Sequence, residues 1–310
     1  MTTKPKHHAF QSGLGVAGIW ISAGLIVSVC LFIICYVFIE GSAALSPQFL
    51  TSEPNLSAIH TEAGGILTPM VGTVILTLIS ILIAFPFALA TAVYLCFYAK
   101  RGIMKMPVKS AIDILSGVPT IVIGLFALSV STLPYLSFLS TPVEGIEGVS
   151  RAYGKSFLVC GIAMAIMILP FVIKSMEEAL KSVPDTYYEG ALAIGASKWR
   201  AISKVVLGAA KQGLVTGVVL GMGRVVGDTA IVWLTLGGTL RMSGAQPWYL
   251  HPISTLQNTG ATLTSYIYFT SPAGEGNNYV VAFGAALVLI AIILILNTAA
   301  AIVGRRKLYD

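Results

Sequence analysis

The stretch VGTVILTLISILIAFPFALATAVYLCFY, residues 71–98, holds no Asp, Glu, Lys or Arg. As a helix rising 1.5 Å per residue it is about 42 Å long, enough to cross a hydrocarbon core of about 30 Å. Lipid offers backbone N–H and C=O groups no partner, so so apolar a segment crosses as a helix that satisfies its own backbone. On either side of it, residues 7–39, 114–143, 242–274 and 276–304 are also free of those four residue types. The chain of 310 residues is 56% hydrophobic and 10% charged, against about 25% charged in a soluble domain. Its mean hydropathy is +0.85. A cytosolic enzyme or a soluble binding module is excluded, because no soluble fold buries that much apolar surface.

These runs predict an all-α polytopic membrane helix bundle with six spans, 17–39, 71–98, 112–133, 157–174, 212–237 and 279–303. The net charge of +6 reports topology rather than a nucleic-acid partner. Lys4 and Lys6 precede the first run, Lys100, Arg101, Lys105 and Lys109 follow the second, and Arg305, Arg306 and Lys307 close the chain. Lys174, Lys181, Lys198, Arg200, Lys204 and Lys211 lie between the fourth and fifth spans, whereas the loop at 40–70 carries Glu40, Glu53 and Glu62 without Lys or Arg. The positive-inside rule then places both termini in the cytoplasm. The expected organisation is a cytosolic tail at 1–16, one membrane domain over 17–304 and a cytosolic tail at 305–310. The first run is too long for a signal-peptide core and Ser42-Ala43-Ala44 is a poor cleavage site, so it is read as a retained helix. Cys30, Cys35, Cys96 and Cys160 all fall inside apolar spans and read as small core residues, not as disulfides or metal ligands. Pro86, Pro119 and Pro170 sit within spans, where a bundle tolerates the bend that proline imposes.

The longest cytosolic segment, 174–211, reads as structured. Thr186 with Glu189 three residues on matches a capping box, and Tyr187 to Ile194 then form a short helix that Gly195 ends as a left-handed cap. Ser197 caps the next helix, 198–208. On physical grounds alone this element is either a docking helix or a connector between two spans.

Glu189-Gly190-Ala191, three residues, Gly195, nine residues and Val205-Val206-Leu207-Gly208 resemble the EAA loop of type I ABC importer permeases. Gly190, Val205 and Gly208 stand where that pattern has Ala, Ile and Pro. Gly117-Val118-Pro119-Thr120 with Gly124-Leu125-Phe126, and Gly223-Arg224-Val225-Val226-Gly227-Asp228-Thr229, are similar to the permeases of the phosphate-specific (Pst) importer, which usually have Glu where Asp228 stands. The continuation Thr229-Ala230 looks more like the A subunit than the C subunit. The resemblance implies the type I permease fold in a prokaryotic plasma (inner) membrane. It implies a coupling helix in which Tyr188, Glu189, Gly190, Ala191, Gly195 and Ala196 meet an ATPase. It also implies the partners: a second permease of the C type, an ATPase dimer that binds ATP and Mg, and an extracytoplasmic phosphate-binding protein. No cofactor is expected on this chain itself.

Arg224 lies twelve residues beyond Gln212, about 18 Å into the membrane. A charge there costs at least about 2.5–3.5 kcal/mol on insertion scales. At 100° per residue Gly213, Gly217, Gly221, Arg224 and Asp228 share one stripe, whose small residues let helices approach closely. Asp228 is the expected partner. Either the two form an internal salt bridge, or the guanidinium lines an anion path, where its planar fork suits phosphate oxygens. The resemblance favours the second reading.

Asp113, at the start of the third span, reads as a first-turn carboxylate favouring the helix dipole. His7, His8, His60 and His251 show no metal-ligand spacing. Catalytic motifs and a phosphate-binding loop are lacking in the sequence, so the chain is read as a transport subunit and not an enzyme. Two alternatives stay open: another oxyanion such as sulfate or molybdate, and an ATP-independent secondary transporter.

Overall fold

The computed structural model describes residues 6–54, 65–99, 104–144, 150–152, 154–238, 252–274, 276 and 278–305. Lys4, His60, Glu62, Lys100, Arg101, His251, Arg306 and Lys307, and the outer parts of both tails, lie outside them. In chain order the helices are α1 (Lys6–Ser42), α2 (Pro47–Thr51), α3 (Leu67–Val93), α4 (Lys105–Gly117), α5 (Thr120–Ser131), α6 (Phe157–Lys181), α7 (Asp185–Ala193) and α8 (Lys198–Arg200). They continue with α9 (Leu207–Ala209), α10 (Lys211–Gly227), α11 (Ala230–Thr235), α12 (Pro252–Gln257), α13 (Leu263–Thr270) and α14 (Tyr279–Arg305). The all-α architecture carries one small addition, an antiparallel hairpin of β1 (Pro142–Glu144) and β2 (Ser150–Ala152) with Val143 opposite Arg151.

Four stretches are long and apolar enough to cross a membrane unbroken: Gly18–Ser42, Leu67–Tyr98, Phe157–Lys181 and Tyr279–Ile302. Two bent helix pairs bring the number to six when each is taken as one broken span. The third, expected over 112–133 with a bend at Pro119, is α4 and α5 meeting at 100°. Pro119 lacks an N–H and forces Val118 out of the helical region, to φ −72 and ψ 128, so the helix stops at Gly117. The fifth, expected over 212–237, is entered at 69° from the Lys198–Ala209 segment and ends at Gly227. Asp228 is extended there, at φ −82 and ψ 129, and its Oδ1 accepts from the Ile231 N–H at 2.9 Å. A carboxylate that caps the first turn of α11 satisfies a donor which lipid could not. The fourth span also runs further than expected. Lys174 does not end it, and α6 continues to Lys181.

The centre of the bundle is α6. Phe157, Met164, Ile168, Met176 and Leu180 are buried along it, against Leu76, Ala84, Ala88 and Ala92 of α3 and Leu214 and Val225 of α10. Hydroxyls buried in α3 are satisfied locally: Thr73, Thr77 and Ser80 donate to carbonyls four residues back at 2.7–2.8 Å. Thr73 Oγ1 also accepts from the Leu263 N–H at 2.8 Å, which pins the start of α13 to α3. A second cluster, Phe49, Ile66, Leu263, Tyr266, Val281 and Ala285, joins α2 and α13 to α14. α1 lies outside both, touching α14 through the Tyr36–Phe283 edge-on ring pair at 5.5 Å. Cys30 and Cys35 on α1 are therefore exposed, a correction to the expected core placement, while Cys160 is buried. The α1 sequence is apolar on every side, and such a pattern gives no sign of which face meets protein.

α10 meets α6 at close range. A Cβ at Gly213 would stand 2.5 Å from that of Ala179, one at Gly217 3.1 Å from Ser175 Oγ, and one at Gly221 2.9 Å from Val172 Cγ2. Gly213→Ala should lower the stability of the purified protein by about 1–3 kcal/mol, the usual range for overpacking. Ala179→Gly in the same chain should recover part of that loss, read as a positive coupling in a double-mutant thermal-unfolding cycle. Additive effects would show that the two helices do not touch there.

Candidate functional site

Two regions hold the residues that the sequence singles out. The first is the elbow between α6 and α10. Pro184 supplies the N-cap of α7 with its fixed φ of −57, so α7 begins at Asp185 and places that acid in its first turn. Thr186 is inside the helix and caps nothing, and the expected Thr186–Glu189 capping box is absent. The far end closes on Gly195 at φ +85. The Gly195 N–H donates to Leu192 O at 2.9 Å and the Ala196 N–H to Ala191 O at 3.1 Å, a Schellman closure. Ser197 Oγ then accepts from the Arg200 N–H at 3.4 Å, starting α8. A π-helical turn, Ala201–Val206, joins α8 to α9.

The elbow is tied to the end of the second span. Lys198 Nζ donates to Phe97 O at 2.7 Å and lies 4.2 Å over the Tyr98 ring. A cation at a helix C-terminus offsets the partial negative charge of the last carbonyls. Phe97 meets Tyr188 at 5.3 Å between ring centroids. Tyr188 is half-buried, Ala191 buried and Ala196 half-buried, facing the bundle, while Glu189, Gly190 and Gly195 are exposed. Tyr187, Leu192 and Trp199 are exposed as well, and Ile194 is 87% exposed. Four large apolar side chains around one short helix form a patch suited to protein contact. A Cβ at Gly190 would meet nothing within 4 Å, so no steric demand keeps alanine out of that position.

The second region surrounds Arg224. Its Nε donates to Met167 Sδ at 3.1 Å and its Cζ lies 5.9 Å from the Phe171 ring centroid. Among the described residues no carboxylate pairs with it. The expected Arg224–Asp228 pair is not formed, because the helix that would have aligned the two ends at Gly227 and the Asp228 carboxylate is turned to Ile231. A cavity of about 90 Å³ opens beside the guanidinium, at the bend between α4 and α5, with Ser116, Met167, Phe171 and Lys174 in its wall. An adjoining cavity of about 520 Å³ has Val122, Phe126, Val159 and Ile166 in its wall and is almost entirely apolar, with Ser131 at its edge. A guanidinium held by a thioether and an aromatic face is positioned without being neutralised. Such a group is available to an anion.

Asp113 is in the middle of α4, not in its first turn, and pairs with Lys174 at 2.6 Å. One turn away Lys109 pairs with Glu177 at 3.3 Å, and Lys181 pairs with the same carboxylate at 2.6 Å. The sequence does not single out Met167 and Phe171, which come beside Arg224 only through the packing of α10 on α6, and Lys174 figures in it only as a cytosolic charge. No cluster of three His, Cys, Asp or Glu able to hold a metal occurs among the described residues.

Residues 84–309 match the family described as "Binding-protein-dependent transport system inner membrane component". The phosphate transport system permease protein PstC of Xylella fastidiosa is 31% identical over 248 residues, covering 77% of this chain and 72% of that one. The phosphate transport system permease protein PstA 1 of Mycobacterium tuberculosis is 31% identical over 245 residues, covering 78% and 71%. Among solved structures, a chain of a bacterial alginate ABC transporter superposes with a TM-score of 0.61 at 15% identity, covering 96% and 98%. The MetNI methionine ABC transporter gives 0.54 at 18% identity, covering 76% and 92%.

Open space surrounds Gly195, so its substitution tests backbone conformation alone. Gly195→Val should remove the Schellman closure at a cost of about 1–2 kcal/mol, whereas Gly195→Asn should keep most of it. Hydrogen exchange at the Gly195 and Ala196 amides reports the difference. Equal protection in all three proteins would contradict it.

Proposed function

The chain belongs to the family of binding-protein-dependent transport system inner membrane components, and from that membership we propose that it is the permease subunit through which an ATP-driven importer moves inorganic phosphate into the cell. The observation that carries the substrate is Arg224, an uncompensated guanidinium in the wall of a cavity inside a chain whose relatives are named phosphate permeases. A planar fork binds two oxygens of a tetrahedral oxyanion at once. Asp228 flanks the path and serves it indirectly, by holding the break that lets the backbone turn beyond Arg224.

The working assembly has this chain paired with a second, C-type permease. An extracytoplasmic phosphate-binding protein delivers the anion, and an ATPase dimer binds ATP and Mg. The membrane domain is 17–304 with both termini in the cytoplasm. The ATPase docks on the exposed face of α7, at Tyr187, Glu189, Gly190, Leu192 and Ile194. Motion of α7 reaches the bundle through the Tyr188–Phe97 and Lys198–Phe97 contacts and through α6. No cofactor on this chain and no nucleic acid enters the scheme.

Uptake by the reconstituted complex tests it, normalised to assembled protein. Phosphate should accumulate only with ATP and the binding protein, and sulfate should not. Arg224 is exposed, so Arg224→Gln should reduce phosphate uptake about ten- to a hundredfold, since a hydrogen bond to a charged group is worth about 1.5–3 kcal/mol. Arg224→Lys should also fall well below wild type, because a point ammonium cannot reproduce the fork. Full uptake by an assembled Arg224→Gln complex would refute the assignment, and sulfate accumulation in place of phosphate would refute the substrate.

A further inference from the structure

α4 buries none of its side chains. Two ion pairs connect it to α6, one helical turn apart on each helix: Lys109–Glu177 and Asp113–Lys174. They differ in kind. Glu177 is buried and is gripped by Lys181 as well, so that pair reads as an anchor. Asp113 and Lys174 keep 65% and 46% of their side chains exposed, yet their charged atoms are 2.6 Å apart. Lys174 also forms part of the wall of the cavity beside Arg224. One ammonium is thus offered to two anions, the Asp113 carboxylate and whatever enters the cavity.

We propose that Asp113 is a built-in counter-anion for Lys174 that competes with the transported oxyanion and speeds its release toward the cytosol. The proposal rests on the reading of Arg224 as an anion contact and adds a second cation with its regulator. A lysine suits the part because its flexible stem and three donors can change partner, which a stacked guanidinium cannot do. Permeation requires sites that bind well enough to fill but weakly enough to empty. An oxyanion held by both Arg224 and Lys174 would leave slowly, and a carboxylate that reclaims Lys174 returns the site to one cation. Asp113 lies just ahead of the bend at Val118–Pro119, so any change of the 100° angle between α4 and α5 moves the carboxylate relative to the cavity.

The test uses the whole complex in liposomes, with binding protein outside and ATP inside, and measures how much lumenal inorganic phosphate halves the uptake. Asp113→Asn and Asp113→Ser should each lower that concentration about two- to fivefold, the factor an exposed ion pair supports. Asp113→Glu should stay at the wild-type value. Lys174→Gln should slow uptake and make the Asp113 variants indistinguishable from it when combined. The exchanged pair, Asp113→Lys with Lys174→Asp, restores the bridge but puts the carboxylate in the cavity wall, so it should assemble and fail to transport. Unchanged product inhibition in assembled Asp113→Asn and Asp113→Ser complexes would overturn the proposal. So would normal uptake by the exchanged pair, which is what a mere tether predicts. If Arg224→Gln transports normally the underlying reading fails; if Arg224→Gln is inactive and Asp113→Asn is unaffected, only the counter-anion fails.

Discussion

The approach of α10 to α6 through Gly213, Gly217 and Gly221 is the contact on which the rest of the molecule depends. In lipid, apolar side chains gain nothing by leaving solvent for one another, so helices associate through close packing and satisfied polar groups. α6 is the buried centre of the bundle and packs on both α3 and α10. It carries Met167, Phe171 and Lys174 to the cavity, and four residues after its end α7 begins. α10 carries Arg224 to the same cavity from the other side. Any widening of this seam would move the guanidinium away from the thioether and the ring that position it.

The breaks in the third and fifth spans follow from what a membrane permits. A helix that stops inside the bilayer exposes donors and acceptors that must be met by protein. At the third span Pro119 removes one donor outright, and the Val118 N–H still reaches Leu115 O at 3.3 Å. At the fifth, the Asp228 carboxylate takes the Ile231 N–H, and the Asp228 carbonyl accepts from Thr264 Oγ1 at 3.4 Å. Both breaks thus have local partners. The first forms a wall of the Arg224 cavity, through Val118, and the second lies one turn beyond Arg224. The acid that a helical wheel pairs with Arg224 is instead part of the backbone's accounting.

Much of this was legible in the sequence. Charge-free runs located the first, second, third and sixth spans, Gly195 marked the end of α7, and the glycine spacing on α10 marked a stripe of small residues. The rest failed for physical reasons. A helical wheel assumes one continuous helix, and Asp228 is where continuity ends. The first charge, Lys174, does not end the fourth span, because its ammonium pairs with Asp113 while the backbone runs on to Lys181. Thr186 fitted a cap, but Pro184 sets the helix start two residues earlier. α1 gave no indication of its outer position, because uniform apolarity looks the same toward lipid and toward protein. Ion pairs between α4 and α6 join residues 61 and 68 positions apart, which spacing along the chain does not reveal.

In the proposed mechanism α6 and α10 move as one rigid piece that links α7 to the Arg224 cavity. The direct test is a disulfide across the seam, Ser175→Cys with Gly217→Cys, in a chain whose four native cysteines are replaced. An ideal Cβ at 217 lies 3.3 Å from that of Ser175, close to the roughly 3.5–4.5 Å that a disulfide spans. Phosphate uptake by the reconstituted complex is measured before and after oxidation. Uptake that survives complete cross-linking is the predicted result. Uptake that stops on oxidation and returns on reduction would show that the seam must open during transport, and would contradict the account.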